Sequence, residues 1–481
     1  MSQPPGPIDA PPPGCPAHRG GGHTPAGPPL YGPEFAADPD RTYDKLRAQG
    51  PAAWVELSPG VDAMLVTSYD AALKVLRHPN FVKDARRWRA LNEGRVTPDN
   101  PVIPMMGWRP SLLFADGDRH RRLRTSVTDA LAKVDPVALR GYVEHSAVQL
   151  IDEFAQRGSA DLVSEYADRL PLLVFTQLFG APDSLVERMV TACAGMIDAS
   201  QDAQQAGANL AMCLGELIAI KRQHPGRDLT SWLLAHPARL SDEEMIHQLV
   251  VLIGAGSVPT TAWIASATML LLTDDRFAGE MSGGSMPIGD ALTEVLWTLS
   301  PMSNFCFHYA IDDYELKERP GAPGVLIPKD VPVLISHAAA NTDPSLAGAH
   351  VRKAGNHAHL AWSAGPHVCP AQDPANVIAT TAIEKLLDLL PDMDLAVPVE
   401  HLTWRPGPFH RTLTALPVRF PALSSSVQST SNTGEYRWTT PSSAPAVSTP
   451  PEPISTARPT GSGPRGPQRV WSSLAKWWRG Q

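Results

Sequence analysis

Cysteine is scarce in this chain. Its five cysteines in 481 residues, Cys15, Cys193, Cys213, Cys306 and Cys369, are odd in number and scattered, which argues against a disulfide framework and fits a reducing cytoplasm. Charge is modest too: 19% of residues are charged and the net charge is -8, so the chain as a whole offers no electrostatic footprint for nucleic acid. Uninterrupted apolar runs of membrane-span length are missing, and the first residues lack the basic and apolar regions of a signal peptide. No internal repeat is visible.

Proline, by contrast, is plentiful, with 49 unevenly placed residues. Residues 1–33 are mostly Pro, Gly and Ala; they bury too little apolar surface to offset the entropy of ordering and are predicted to be disordered. Residues 422–468 read as a Ser/Thr/Pro linker. Between them, 34–421 carry most of the chain's 43% hydrophobic content, enough for a large core. Apolar residues recur with a period near 3.6 in 71–77, 119–131, 138–157, 185–221, 243–272 and 287–299, which predicts helices. Residues 52–57 and 63–67 read as a hairpin, and β-branched runs return around 313–336 with Gly324 and Pro328 as turn signals. The expected class is mainly α with a small β region. The tail 469–481 sets Val470, Trp471, Leu474, Trp477 and Trp478 along one helical stripe flanked by cations, and predicts docking at an anionic membrane surface or a protein partner.

Chemistry concentrates at Cys369. Its thiol lies in a glycine-containing loop, Trp362-Ser363-Ala364-Gly365-Pro366-His367-Val368-Cys369, just ahead of an apolar helix pattern. Orphan amides and the helix dipole at such a terminus are expected to favour thiolate, a strong donor to a metal. Upstream, His120 and Arg124 are spaced i,i+4 and share a helix face, an arrangement suited to a ligand with two carboxylates. A competing arrangement is a tetrahedral zinc site built from His357, His359, His367 and Cys369.

The Cys369 loop resembles the haem-binding loop of the cytochrome P450 family, aromatic-Gly-x-Gly-x-[His/Arg]-x-Cys-x-Gly. Trp362 takes the aromatic place, Gly365 the second glycine, His367 the basic place and Cys369 the ligand, while Ser363 and Ala371 replace two glycines. Other segments resemble the family in the same order across roughly 35–421. His120 and Arg124 match its His-x-x-x-Arg helix, and His308 stands where a propionate-binding arginine is expected. Residues 249–263 resemble the long helix over the distal haem face, with Ala255 and Gly256 lining the oxygen groove. The family's acid and alcohol fall on Val258 and Pro259; Thr260, one step late, is a candidate for proton delivery if Pro259 kinks the helix. In the helix that carries Glu-x-x-Arg, Glu294 is kept and Trp297 replaces the arginine, which cannot make the same bidentate ion pair. The branch implied is a bacterial one lacking that arginine.

The resemblance implies a haem-thiolate fold, haem b (iron protoporphyrin IX) as cofactor, and oxygen-dependent monooxygenation of a small-molecule substrate with electrons from ferredoxin and ferredoxin reductase. Cys369 would ligate iron, and His120, Arg124, His308 and His367 would bind propionates. Arg121 and Arg122 would face an acidic electron donor, and 86–112 and 171–213 would line the substrate pocket. The loss of the acid–alcohol pair and of the arginine raises an alternative: a catalytically degenerate haem-binding or regulatory protein docking at a membrane or signalling complex.

Overall fold

The computed structural model describes residues 26–197, 203–274, 288–346 and 356–423. The tail 469–481 and most of the 422–468 linker lie outside the described residues, as do residues 1–25. Ordered packing begins earlier than residue 34. Leu30 is fully buried and exchanges backbone hydrogen bonds with the first sheet strand through Leu30 N to Glu56 O (2.8 Å) and Glu56 N to Pro28 O (3.0 Å). At the other end Leu423 N still donates to Ala155 O at 2.9 Å.

Helices dominate, as expected. The principal ones are Gly117–Leu131, Pro136–Phe154, Arg169–Leu178, Asp183–Ile197, Ala203–Gln223, Asp242–Thr273, Ile288–Thr298 and Gln372–Leu389. The periodic stretch 185–221 is thus carried by two helices. Pro136 at the first helical turn, capped by the Asp135 carboxylate on Val137 N, fixes the start of one of them.

The 32-residue helix Asp242–Thr273 opens with a Ser241/Glu244 capping box and three acids in its first turn, which offset the orphan amides there. By length and composition it could cross a membrane, contrary to the impression given by its scattered polar residues. It is instead the central helix of a helical core that includes Leu150, Leu214, Leu249, Ile264 and Ile383; a helix apolar on all sides belongs inside.

The β region is small. Strands Ala52–Ser58, Val61–Val66, Pro332–Ser336, Asn304–Ala310 and Phe81–Val82 pair in that order. The first two form the expected hairpin, and Val61–Val66 runs parallel to Pro332–Ser336. Tyr314–Leu316 pairs with Val325–Ile327, and Pro417–Arg419 lies between Ser159–Asp161 and Asp394–Leu395. The five-stranded sheet brings the strand bearing His308 toward the Cys369 loop.

Candidate functional site

Gly365 explains the shape of the Cys369 loop. Its φ is +70°, and a Cβ there would fall 2.3 Å from the Leu76 carbonyl oxygen, so only glycine fits. Ser363 adopts φ +62° without being glycine, whereas Ala371 sits at φ -112° and replaces its glycine without strain. The loop is pinned by Cys369 N to Trp362 O (2.8 Å) and Ser363 N to Leu360 O (2.7 Å). Trp362 meets Trp263 of the central helix edge to face at 5.3 Å.

The thiol precedes the helix Gln372–Leu389, whose N-terminus has no side-chain cap. Ala371 N donates to Cys369 Sγ at 3.4 Å. Burial nevertheless pushes the Cys369 thiol up, against the pull of that amide and of Arg124. The expected bias toward thiolate is therefore present but outweighed in the free protein; a metal at the sulfur would remove the proton outright.

Four predicted donors gather near this thiol. His120 and His367 stack with ring centroids 3.9 Å apart. Burial, then His367 and Arg124, push His120 down to about 4. His308 is driven well below its usual range by burial and by Lys83 and His367, and His367 is lowered by burial against a favourable contact to Asp116, which lies 3.9 Å from its Nε2. Arg124 is lowered by burial while Cys369 acts to raise it. Buried His120 Nε2 and His308 Nδ1 have no hydrogen-bond partner in the protein, a cost of about 1–3 kcal/mol each unless something else occupies those atoms.

Local sequence explains the convergence. The Asp116 carboxylate accepts Lys83 N at 2.9 Å instead of capping its own helix, which fixes the first turn bearing His120. A register irregularity between Phe305 and His308, with Cys306 at φ +48°, re-aims the strand at His308.

Sequence reasoning passed over Lys83, which is 1% exposed, donates to Phe307 O at 2.9 Å and is lowered by burial. A lysine in an apolar two-residue strand context was the available signal. Also missed were Cys306 and His337. Burial raises Cys306, but His337, Lys83 and Ser363 bring it to about 6, and His337 Nδ1 is tied to Met302 O at 2.8 Å.

Trp297 braces the segment ahead of the thiol loop. Its indole N–H donates to Asn356 O at 3.0 Å, and its ring meets His359 edge to face at 5.6 Å. Asn341 adds a clamp, donating to Leu296 O (2.9 Å) and accepting Leu360 N (2.7 Å).

The central helix divides the remaining predicted residues. Gly254 and Ala255 are exposed, and Val251, Leu252, Val258 and Pro259 are half-buried, in a helix whose residues 260–269 are all buried. This strip is the face free to meet a flat ligand. Pro259 lacks an N–H, so the Ala255 carbonyl loses its helical partner, yet the helix runs through Pro259 without interruption.

Gly256 and Thr260 are not on the strip. A Cβ at Gly256 would fall 2.1 Å from Phe175 Cζ, so its smallness serves helix packing. Thr260 is 5% exposed and lies about 140° around the helix from Ala255. Thr261 donates to Ala167 O at 2.9 Å. Arg122 bonds Ala238 O at 2.9 Å and Glu244 at 2.5 Å, which ties this helix to the start of the central one.

These residues fit haem. A soft sulfur, unpartnered imidazole nitrogens, a guanidinium and an exposed apolar strip match a flat iron porphyrin carrying two carboxylates. The zinc alternative does not assemble: among the described residues no group of three or more His, Cys, Asp or Glu could hold a metal ion, with His357 exposed, His359 against Trp297 and His367 on His120.

No family model matches the chain. It is 31% identical over 413 residues to the cytochrome P450 monooxygenase PikC of Streptomyces venezuelae, covering 82% of this chain and 96% of that protein. It is 30% identical over 370 residues to 2-hydroxy-5-methyl-1-naphthoate 7-hydroxylase of Streptomyces carzinostaticus, covering 73% and 88%. The structure superposes on CYP154C4 from Streptomyces sp. W2061 with a TM-score of 0.73 and 29% identity, over 82% of this chain and 97% of that one.

Proposed function

Because the chain belongs to the cytochrome P450 family, we propose that it is a cytoplasmic monooxygenase acting on a small organic substrate, with electrons from a ferredoxin and its reductase. Its cofactor is haem b, and its relatives are monooxygenases of bacterial secondary metabolism. Relatives named for a naphthoate 7-hydroxylation and a nocardicin C N-oxygenation support a small-molecule substrate.

The observation that carries the reading is the gathering of unpartnered buried donors, His120 Nε2 and His308 Nδ1, within electrostatic reach of His367, Arg124 and, through Arg124, Cys369. Cys369 is assigned as the iron ligand, its sulfur steadied by Ala371 N. His120, Arg124, His308 and His367 are assigned to the propionates. Trp362 and Gly365 hold the loop against the central helix and Leu76. When bound, haem supplies the activation of dioxygen. Ala255 lines the oxygen side, and its carbonyl, released by Pro259, is the acceptor on that face for a water or a substrate hydroxyl. Gly256 and Thr260 act behind it, in packing.

The test is coupled turnover. Holoprotein given a bacterial ferredoxin, its reductase and a substrate found by spectral screening should consume NAD(P)H in proportion to hydroxylated product. Consumption without product for every binding compound would contradict the monooxygenase reading.

A further inference from the structure

The helices Arg169–Leu178 and Asp183–Ile197 leave an open groove of about 350 Å³ on their outer side, lined by Leu173, Asp183, Val186, Glu187, Val190 and Thr191. Those of the second helix recur at i, i+3, i+4, i+7 and i+8, one helix face. Leu173, Val186 and Val190 are half-buried, whereas Asp183, Glu187 and Thr191 are exposed. Among the described residues neither carboxylate is ion-paired, and Arg188, the adjacent cation, bonds Glu216 at 2.9 Å. The groove has room for an aromatic side chain and a rim that calls for cations.

The chain leaves the described fold beside this groove. Leu423, the last described residue, donates its N–H to Ala155 O at 2.9 Å. Two residues before Ala155, Glu153 accepts from Arg169 at 3.0 Å, and Arg169 opens the helix that carries Leu173, about 6 Å further along its axis. The 45 residues 424–468 read as a linker, and a coil of that length spans about 35–40 Å. The tail 469–481 therefore has ample reach. It lies outside the described residues, but its sequence holds Arg469, Lys476 and Arg479 with no acid, beside Trp471, Trp477 and Trp478. The chain's net charge of -8 makes the rest of the protein opposite in sign.

We propose that the tail 469–481 docks in this groove of its own fold, with its tryptophans on Leu173, Val186 and Val190 and with Lys476 and Arg479 at Asp183 and Glu187. The spacings match: the two carboxylates stand one helical turn apart, as the two cations do on a helix. The exposed charge pairs chiefly set the register, and the indoles supply most of the binding. Tethering makes the encounter intramolecular, at an effective concentration of about millimolar, so modest contacts suffice. The inference stands apart from the haem chemistry.

The experiment treats dilute full-length holoprotein, mixed from isotope-labelled and unlabelled batches, with a zero-length carbodiimide that joins an ammonium to a carboxylate in contact. Mass spectrometry should find Lys476 joined to Asp183 or Glu187 within one chain. Trypsin cleavage after Arg469 reports the undocked population, and should quicken about tenfold in Trp477→Ala/Trp478→Ala and about threefold in Asp183→Asn/Glu187→Gln. Lys476 joined evenly to carboxylates elsewhere, links only between labelled and unlabelled chains, or cleavage unchanged in the tail variant would overturn the proposal. Sedimentation with phosphatidylglycerol vesicles and no link within the chain would assign the tail to a membrane instead. If Asp183→Asn/Glu187→Gln fails to fold, the tail variant, which leaves residues 26–423 untouched, decides.

Discussion

Beside the thiol loop, Trp297, His308 and Ser363, which the family resemblance sets in places expected to hold arginine, arginine and glycine, each meet a geometric need. The Trp297 indole bonds the Asn356 carbonyl, His308 presents an unpartnered ring nitrogen, and Ser363 accepts a left-handed φ of +62°. On the central helix, Val258 and Pro259, which the resemblance sets in places expected to hold an acid and an alcohol, carry neither group in their own side chains. A brace can be rebuilt from different atoms, because a hydrogen bond to a backbone carbonyl needs only a donor in place. A proton relay needs a titratable or hydroxyl group at the reacting face, and packing cannot supply one.

The comparison breaks most sharply at Gly365. Gly365→Ala should destabilise the protein by about 3 kcal/mol, because its Cβ meets a backbone oxygen in a left-handed conformation; a melting temperature unchanged from wild type would show that the loop yields. On the central helix the sign reverses. Pro259→Thr returns the N–H that Ala255 O lacks and should stabilise by about 2 kcal/mol, measured by urea unfolding, and should raise the ratio of product to NAD(P)H consumed. Loss of stability would mean that the proline is built into the packing there.

Smaller effects sharpen the thiol side. Trp297→Phe keeps the ring but removes the bond to Asn356 O, and should cost about 1.5 kcal/mol and loosen haem retention, checked by dialysis against apomyoglobin. Ser363→Gly should relieve the left-handed φ and gain about 0.5 kcal/mol, visible as a slightly raised midpoint.

Much of the fold was legible because periodicity survives substitution: the helices at 119–131, 243–272 and 287–299 and the hairpin at 52–67 sit within a few residues of their predicted bounds. The thiol loop was legible because residue type and order carry it. Thr260 was not, because its burial, 5% exposed, depends on neighbours distant in sequence. Gly256 misled for a related reason: smallness suits both a ligand and an aromatic neighbour, and Phe175 is the neighbour. Lys83 and Asn341 act through contacts distant in sequence, which no local pattern announces. Leu30 anchors to Glu56 by backbone bonds, to which a Pro/Gly composition is blind.

The most direct test is the absorption spectrum of the reduced, carbon monoxide-bound protein beside that of Cys369→Ala. Wild type should show the strongly red-shifted Soret band of thiolate ligation, and the variant should lose it. The same band in both proteins, or haem absent from wild type, would contradict sulfur ligation at Cys369.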